Sequence, residues 1–356
     1  MSSSKENKLL MVATFRHFFI GLGLAMTDKS SNYHLIFINQ KFNDNRNPIF
    51  QAVSRLVKPF SSVICLPLNV SGTFNKYRNR KLIFKVLRDI VGQLKPVEIA
   101  TGNDRRIEYQ YAMHIAKNKL KLNVKGAYLD NGIGSYINFH KLEFGKYLAR
   151  RWLDVPLKKI VYGNWYTRMQ RYGGSDWTDI CYLTHPKYAP SRLAKKDCRK
   201  IEMDIYKNDK ENIILDLLKE LGLTDANLDA SESILLVLPK KPVMELIYGS
   251  IENAELLIKG ICEGYNNIYV KYHPADLGDV LNLSEQATLL PSQIPVELLF
   301  INMSFNRVLG DGSTAILSAK WMLPQSDVGF FDLETPYTIL VKDIFVDSGI
   351  RPVSIG

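Results

Sequence analysis

The feature that most constrains this chain is an alternation of strand-like and helix-like segments that occurs twice. In the first half, the short apolar runs LLMVAT (9–14), HLIFIN (34–39), SVICLPL (62–68), VEIATG (97–102) and GAYLD (126–130) read as strands. RKLIFKVLRDIVGQL (80–94) and RIEYQYAMHIAKNKL (106–120) have helical periodicity. A second series starts at SILLVLPKK (233–241) and continues through a helix-like stretch (243–264), NIYVKYHP (267–274), ATLLP (287–291), PVELLF (295–300), NRVLGDG (306–312), STAILSAKWML (313–323), GFF (329–331) and YTILVKDIFVDSG (337–349). Strand and helix in alternation imply parallel sheets covered on both faces. The expectation is an α/β fold of two Rossmann-like domains facing each other across a cleft, with ligands outside the carboxyl ends of the strands.

At 356 residues, 46% of them apolar, the chain is long enough for two cores. The expected domains are 1–185, a helical connection 186–232, and 233–356. The four cysteines have no metal-type spacing, which argues for a reducing compartment and against structural zinc. The apolar run after MSSSKENK carries Arg16 and His17 and lacks a small-residue cleavage site, so it is a poor signal peptide and a poor membrane span; cytoplasmic residence is expected.

The net charge of +10 implies an anionic partner. Eight Lys or Arg lie between 141 and 171 against Glu143 and Asp154, interleaved with aromatic residues. This composition suits an anionic membrane surface and equally a solvated helix face. Nucleic acid is disfavoured, because no binding motif accompanies the charge.

Four stretches sit at strand ends. YLDNGIGSYI places Asp130 and Asn131 before Gly132, on a turn that another molecule can approach closely, or on an ordinary strand-ending turn. In VKYHPADL, Pro274 holds His273 extended at the strand end beside Lys271, where an imidazole can donate to a phosphate or supply a proton. His185-Pro186 lacks the same alternation around it and is assigned to structure. GDGSTAILSAKWML leads Gly312 into Ser313 and Thr314 at a helix start, which is either an anion site or a plain N-cap. Glu297 in PSQIPVELLF is placed to accept ribose hydroxyls or to favour a helix N-terminus by its charge. Arg105 and Arg106, with Arg16 and His17, are candidate acceptor contacts, though a solvated helix start accounts equally well for the arginine pair.

The ordered set Asp130-Asn131-Gly132, His273-Pro274, Pro295-x-Glu297 and Ser313-Thr314 resembles the bacterial GT-B sialyltransferases, most closely the capsule polysialyltransferase branch. That resemblance implies a membrane-associated, inverting glycosyltransferase moving a nonulosonic acid from its CMP-activated donor to a capsule or lipooligosaccharide glycan. Under it, Asp130 is the general base, His273 binds or protonates the departing phosphate, Gly312, Ser313 and Thr314 cradle that phosphate, Glu297 holds the ribose and Lys271 adds charge. Asn131, His17, Arg105 and Arg106 lie on the acceptor side. No cofactor and no metal is expected. The expected partners are the CMP-sugar donor, the glycan acceptor, and an anionic inner membrane surface or capsule assembly proteins. A Kdo transferase using CMP-Kdo, or a non-catalytic nucleotide- or glycan-binding protein, are the alternatives. Asn131 departs from the family pattern, in which a second acid stands at that position.

Overall fold

The computed structural model describes residues 5–39, 48–56, 58–67, 73–137, 155–168, 171–223, 233–333 and 335–354. The chain divides into two compact units, Met1–Gly222 and Leu223–Gly356.

The first unit is built on seven strands in the order β3-β2-β1-β4-β5-β6-β7, all pairs parallel. They are β1 (Glu6–Val12), β2 (Ser31–Asn39), β3 (Phe60–Pro67), β4 (Glu98–Thr101), β5 (Lys125–Leu129), β6 (Ile180–Leu183) and β7 (Asp197–Lys200). Central strands buried on both faces lose the period-two alternation, and Leu9 through Val12 and Glu98 through Thr101 are all buried. Leu9, Met11, Ile36, Ile99, Leu87, Val91 and Tyr109 form the core of one sheet face. Each such side chain contributes roughly 1.5–3 kcal/mol through removal from water. Helix Phe15–Thr27 is buried from Phe15 to Met26 and is capped by Thr14, whose hydroxyl accepts from His17 N–H at 3.3 Å.

Two strands arise where the sequence reading placed only helices and a connection. β6 is four residues long, and β7 is the polar run DCRK with no buried residue. A short polar edge strand needs no apolar alternation, because it covers little of the core and is recruited by pairing alone. Helices Ser191–Ala194, Asp204–Lys207 and Ile213–Glu220 also belong to the first unit. Most of the basic aromatic segment lies outside the described residues. Its helix Val155–Tyr162 has no buried residue and exposes Leu157, Ile160 and Val161.

The second unit has six strands in the order β10-β9-β8-β11-β12-β13, again all parallel. They are β8 (Ser233–Val237), β9 (Asn267–Lys271), β10 (Thr288–Leu290), β11 (Arg307–Gly310), β12 (Asp327–Phe331) and β13 (Arg351–Val353). Ile234, Leu236, Met244, Ile258, Val270, Leu309 and Phe331 share its core. The chain winds outward from β8 to β10, returns to the other side of β8 as β11 and winds outward again. The order therefore reverses between β8 and β11, as it does between β1 and β4 in the first unit, and such crevices are where ligands bind.

Candidate functional site

In the first unit the carboxyl ends of β1, β5 and β6 converge on Asp130, which is 0% exposed. Its carboxylate accepts hydrogen bonds from Thr184 N–H (2.8 Å), the Thr184 hydroxyl (2.6 Å), the Ser135 hydroxyl (3.3 Å), Gly132 N–H and the Tyr136 hydroxyl. Arg16 lies 3.5 Å away and is itself buried. Burial alone raises the acid's pKa, but Arg16 and the Thr184 and Tyr136 hydroxyls outweigh it and hold Asp130 below the usual carboxylate range. A saturated, ionised carboxylate of this kind orients its neighbours better than it takes up protons.

Beside it, His17 Nε2 is 2.7 Å from Asn131 Oδ1. His17 is 3% exposed, and its Nδ1 is buried without a hydrogen-bond partner. Burial lowers its pKa to about 4; the Asn131 bond works against this, while Arg16 adds to it. Neutral imidazole donating from Nε2–H leaves Nδ1 as an acceptor. The ring is packed over β4, where a Cβ on Gly102 would lie 1.9 Å from His17 Cδ2, so only glycine fits there.

Arg106 pairs with Glu108 at 3.4 Å, and the exposed Arg105 extends over the Tyr172 ring at 5.2 Å. His185, assigned to structure on sequence, stands in this cluster. Its Nδ1 is 2.9 Å from Thr184 Oγ1, its backbone N–H donates to Tyr136, and burial lowers its pKa to about 4. Thr184 and His185, which follow β6, were missed because that strand was not recognised, and Tyr136, in the short helix Ile133–Tyr136 after β5, was missed because only its position beside Thr184 gives it a role. The signal was the apolar run ICYL ending in Thr-His.

In the second unit, β9 and β11 flank β8, so their carboxyl ends lie about 10 Å apart across one strand. His273 follows β9 and is exposed, and its Nδ1 accepts from Ala275 N–H at 3.0 Å, placing the proton of the neutral ring on Nε2. Lys271 is 2% exposed and donates to the carbonyls of Tyr272 (3.0 Å) and Ser292 (2.6 Å). Burial lowers its pKa to about 8 against the opposing pull of Glu297. Lys271 therefore ties β9 to the loop before helix Val296–Asn302, with Glu297, 7% exposed, in that helix's first turn.

Beyond β11 the chain turns through Gly310, Asp311 and Gly312 into helix Thr314–Met322. A Cβ on Gly310 would lie 2.4 Å from the Val237 carbonyl oxygen, so the strand pairing demands glycine. Ser313 is the N-cap in extended conformation, but its side chain makes no capping bond, and its Oγ is buried without a hydrogen-bond partner. The first N–H groups of this helix thus receive no side-chain cap, and the positive end of its dipole opens on the switch point. Ser313 and Thr314 stand where the sequence placed them. Asp311, between two glycines at a strand end, carried the same signal as Asp130 and was passed over.

Both units are thus Rossmann-like, and the fold is of the GT-B type. Solved structures superpose over nearly the whole chain. The UDP-GlcNAc 2-epimerase from Methanocaldococcus jannaschii is 13% identical, with 99% of this chain and 89% of that one covered and a TM-score of 0.55. The S. aureus MnaA–UDP co-structure is 12% identical, with 98% and 84% covered and a TM-score of 0.53. Arabidopsis thaliana UGT89C1 complexed with UDP-L-rhamnose is 8% identical, with 99% and 86% covered and a TM-score of 0.53. No family model and no curated protein matches the sequence.

These superpositions correct the sialyltransferase resemblance and what it implied. One of the structures named is a UDP-GlcNAc 2-epimerase, and the other two hold UDP and UDP-L-rhamnose. The CMP-nonulosonate donor, the sialyltransferase activity and its capsule glycan acceptor are therefore set aside, and the CMP-Kdo alternative with them. The three motifs misled because each answers a need shared by nucleotide-sugar folds in general: a turn at a strand end, an imidazole at a strand end and a hydroxyl at a helix start. Among the described residues no helix is long and apolar enough to cross a membrane, and no group of three or more His, Cys, Asp or Glu is placed to hold a metal ion.

Proposed function

We propose that this chain is a nucleotide-sugar enzyme of the UDP-sugar 2-epimerase type, with the diphosphate held in the second unit at the start of helix Thr314–Met322. The observation that carries this reading is Ser313, an N-cap whose hydroxyl caps nothing at the β8/β11 switch point. Gly312, Ser313 and Thr314 supply the backbone N–H groups and hydroxyls, and His273 adds Nε2–H. Lys271 and Glu297 hold the β9 end and its neighbouring helix in place. In the first unit Asp130 fixes Arg16, Tyr136 and Thr184, while His17, Asn131, Arg105 and Arg106 offer hydrogen-bonding groups to a hydroxyl-bearing ligand.

Inverting the carbon beside the anomeric centre breaks its C–H bond. The C2 proton leaves as the C1–O bond to the diphosphate breaks, which forms a C1=C2 double bond; re-addition of the retained diphosphate at C1 and of a solvent-exchangeable proton to the other face of C2 gives the epimer, so a phosphate cradle that holds the departed diphosphate serves a 2-epimerase directly. The reading calls for no metal in this chemistry.

The test is incubation with UDP-GlcNAc in deuterium oxide, alongside calorimetric titration with UDP, CMP and GDP. Deuterium at C2 of an epimeric product and preference for UDP support the reading. UDP preference without deuterium turns it toward transfer from a UDP-sugar, and no preference for UDP rejects it.

Association with an anionic membrane surface belongs to the same proposal. Leu157, Ile160 and Val161 are exposed on helix Val155–Tyr162 beside Lys158 and Lys159, apolar and basic residues together on one short helix.

A further inference from the structure

Among the described residues of the second unit, four side-chain polar atoms are buried without a hydrogen-bond partner: Arg307 Nε, which lies 3.1 Å from the Asp327 carboxylate as an ion pair, and Asp311 Oδ1, Ser313 Oγ and the Tyr248 hydroxyl. Asp311 is 5% exposed and Tyr248 7%. Each such group is destabilising unless a ligand or water satisfies it, and native folds keep few of them. Asp311 and Ser313 are joined by the turn in which Ser313 N–H donates to the Asp311 carbonyl at 2.7 Å. Tyr248 ends helix Lys241–Tyr248, and its ionisation is opposed by burial and then by the charge of Asp311.

The chemistry of this cluster selects the ligand. Ser313 and Tyr248 have hydroxyl donors, and the helix start carries the positive end of the helix dipole, so the set asks for an acceptor-rich anion. An ionised Asp311 would repel that anion, whereas a protonated one completes the ring of donors.

We propose that Asp311 is a binding residue of the diphosphate site, donating from its protonated carboxyl to a phosphate oxygen, so that the anion is taken up together with a solvent proton. This rests on the phosphate reading above. Burial supports it by raising the Asp311 pKa to about 6, against the pull of the Ser313 hydroxyl and N–H. Tyr248 is the titratable side chain that senses Asp311 from the helix after β8. Glu297, from the helix packed on Thr314–Met322, acts on Lys271 of β9, and neither is among the groups that shift Asp311.

The experiment is calorimetric titration of the full chain with UDP-GlcNAc, whose diphosphate diester does not itself titrate near neutral pH, in buffers of differing ionisation enthalpy. Wild type should lose affinity about tenfold per pH unit above pH ~6 and take up close to one proton per ligand at neutral pH. Asp311→Asn should flatten that slope and equal or exceed wild type at alkaline pH. His273→Gln should keep the slope, separating Asp311 from the imidazole. A carboxyl carbon NMR titration of the wild-type complex, with Asp311 still protonated at neutral pH, supports the assignment without any variant.

An unchanged slope in Asp311→Asn, or affinity that rises with pH as expected for a carboxylate accepting ligand hydroxyls, overturns this inference alone. Absence of binding at every pH overturns the phosphate site and the inference with it.

Discussion

His17 Nε2 stands 2.7 Å from Asn131 Oδ1, a bond that joins the helix after β1 to the turn after β5. It sets the tautomer of a buried imidazole at the same sheet edge as the Arg16–Asp130 pair. The edge is therefore preorganised by side chains from distant parts of the sequence.

The pH dependence of stability follows from the burial of that imidazole. His17 is held neutral, its pKa lowered by burial from the ordinary 6.5 to about 4. The unfolded chain binds the proton first as pH falls, so this contribution is complete above pH ~6.5 and is lost progressively as pH drops toward ~4, by about 3 kcal/mol in all. Denaturant midpoints measured across this range should fall, and His17→Gln should remove part of the slope. An identical slope in the variant would show that His17 is not buried neutral.

Gly102 and Gly310 should not tolerate alanine. At Gly102 the new Cβ meets the His17 ring at 1.9 Å, and at Gly310 it meets the Val237 carbonyl oxygen at 2.4 Å. Each substitution should cost about 1–3 kcal/mol, and Gly102→Ala should also displace the His17 resonances. Gly92, in helix Thr73–Leu94, has open space around its Cβ position, and Gly92→Ala should stabilise by about 0.5–1 kcal/mol. Thermal melts of the three variants check the ranking.

Replacing Asp130 by Asn leaves Arg16 buried without its countercharge. A loss of roughly 3–5 kcal/mol is expected, as for one partner of a buried ion pair. Because the Asp130 pKa is lowered in the folded state, its contribution is present above the ordinary carboxylate range and is lost as pH falls through the folded value. The variant's deficit should therefore shrink in acid; a deficit equally large there would reassign the loss to packing.

Ser313→Ala separates binding from stability. The hydroxyl does not cap its own helix, so the variant should be about as stable as wild type. UDP affinity should nevertheless drop about 5- to 10-fold, as should that of His273→Gln, consistent with one lost hydrogen bond each. Unchanged UDP affinity in both variants would remove the phosphate from this helix start.

Liposome flotation addresses the exposed helix. Vesicles with anionic lipid should retain the protein, and Leu157→Asp with Ile160→Asp should release it, whereas zwitterionic vesicles should not bind either form. Equal recovery on both vesicle types would dismiss electrostatic docking.

Much of the α/β alternation was legible because apolar runs of four to seven residues separated by amphipathic stretches leave few other ways to bury a chain of this size. Strands β4, β8, β9, β10 and β11 lie within runs visible in the sequence, and β1, β2, β3, β5 and β12 overlap such runs. β7 was not legible, since DCRK carries no apolar pattern and pairs only because β6 presents an open edge. The candidate site was legible in part: Ser313 and Thr314 follow from local cap chemistry, as does the extended placement of His273 before proline.

What the sequence by itself determined are these local properties, because turn, cap and strand propensities act within a few residues. Tertiary structure alone decided the surroundings and charge state of these groups. Asp130 looked like an accessible base on a glycine turn, and it became a buried anion once Arg16 and Thr184, 114 and 54 residues away in sequence, closed on its oxygens. Asp311 looked like a spacer between glycines, and burial at the head of a helix made it titratable near neutral pH. Charge state depends on desolvation and on neighbours brought from afar, and neither is written in the order of residues around the group.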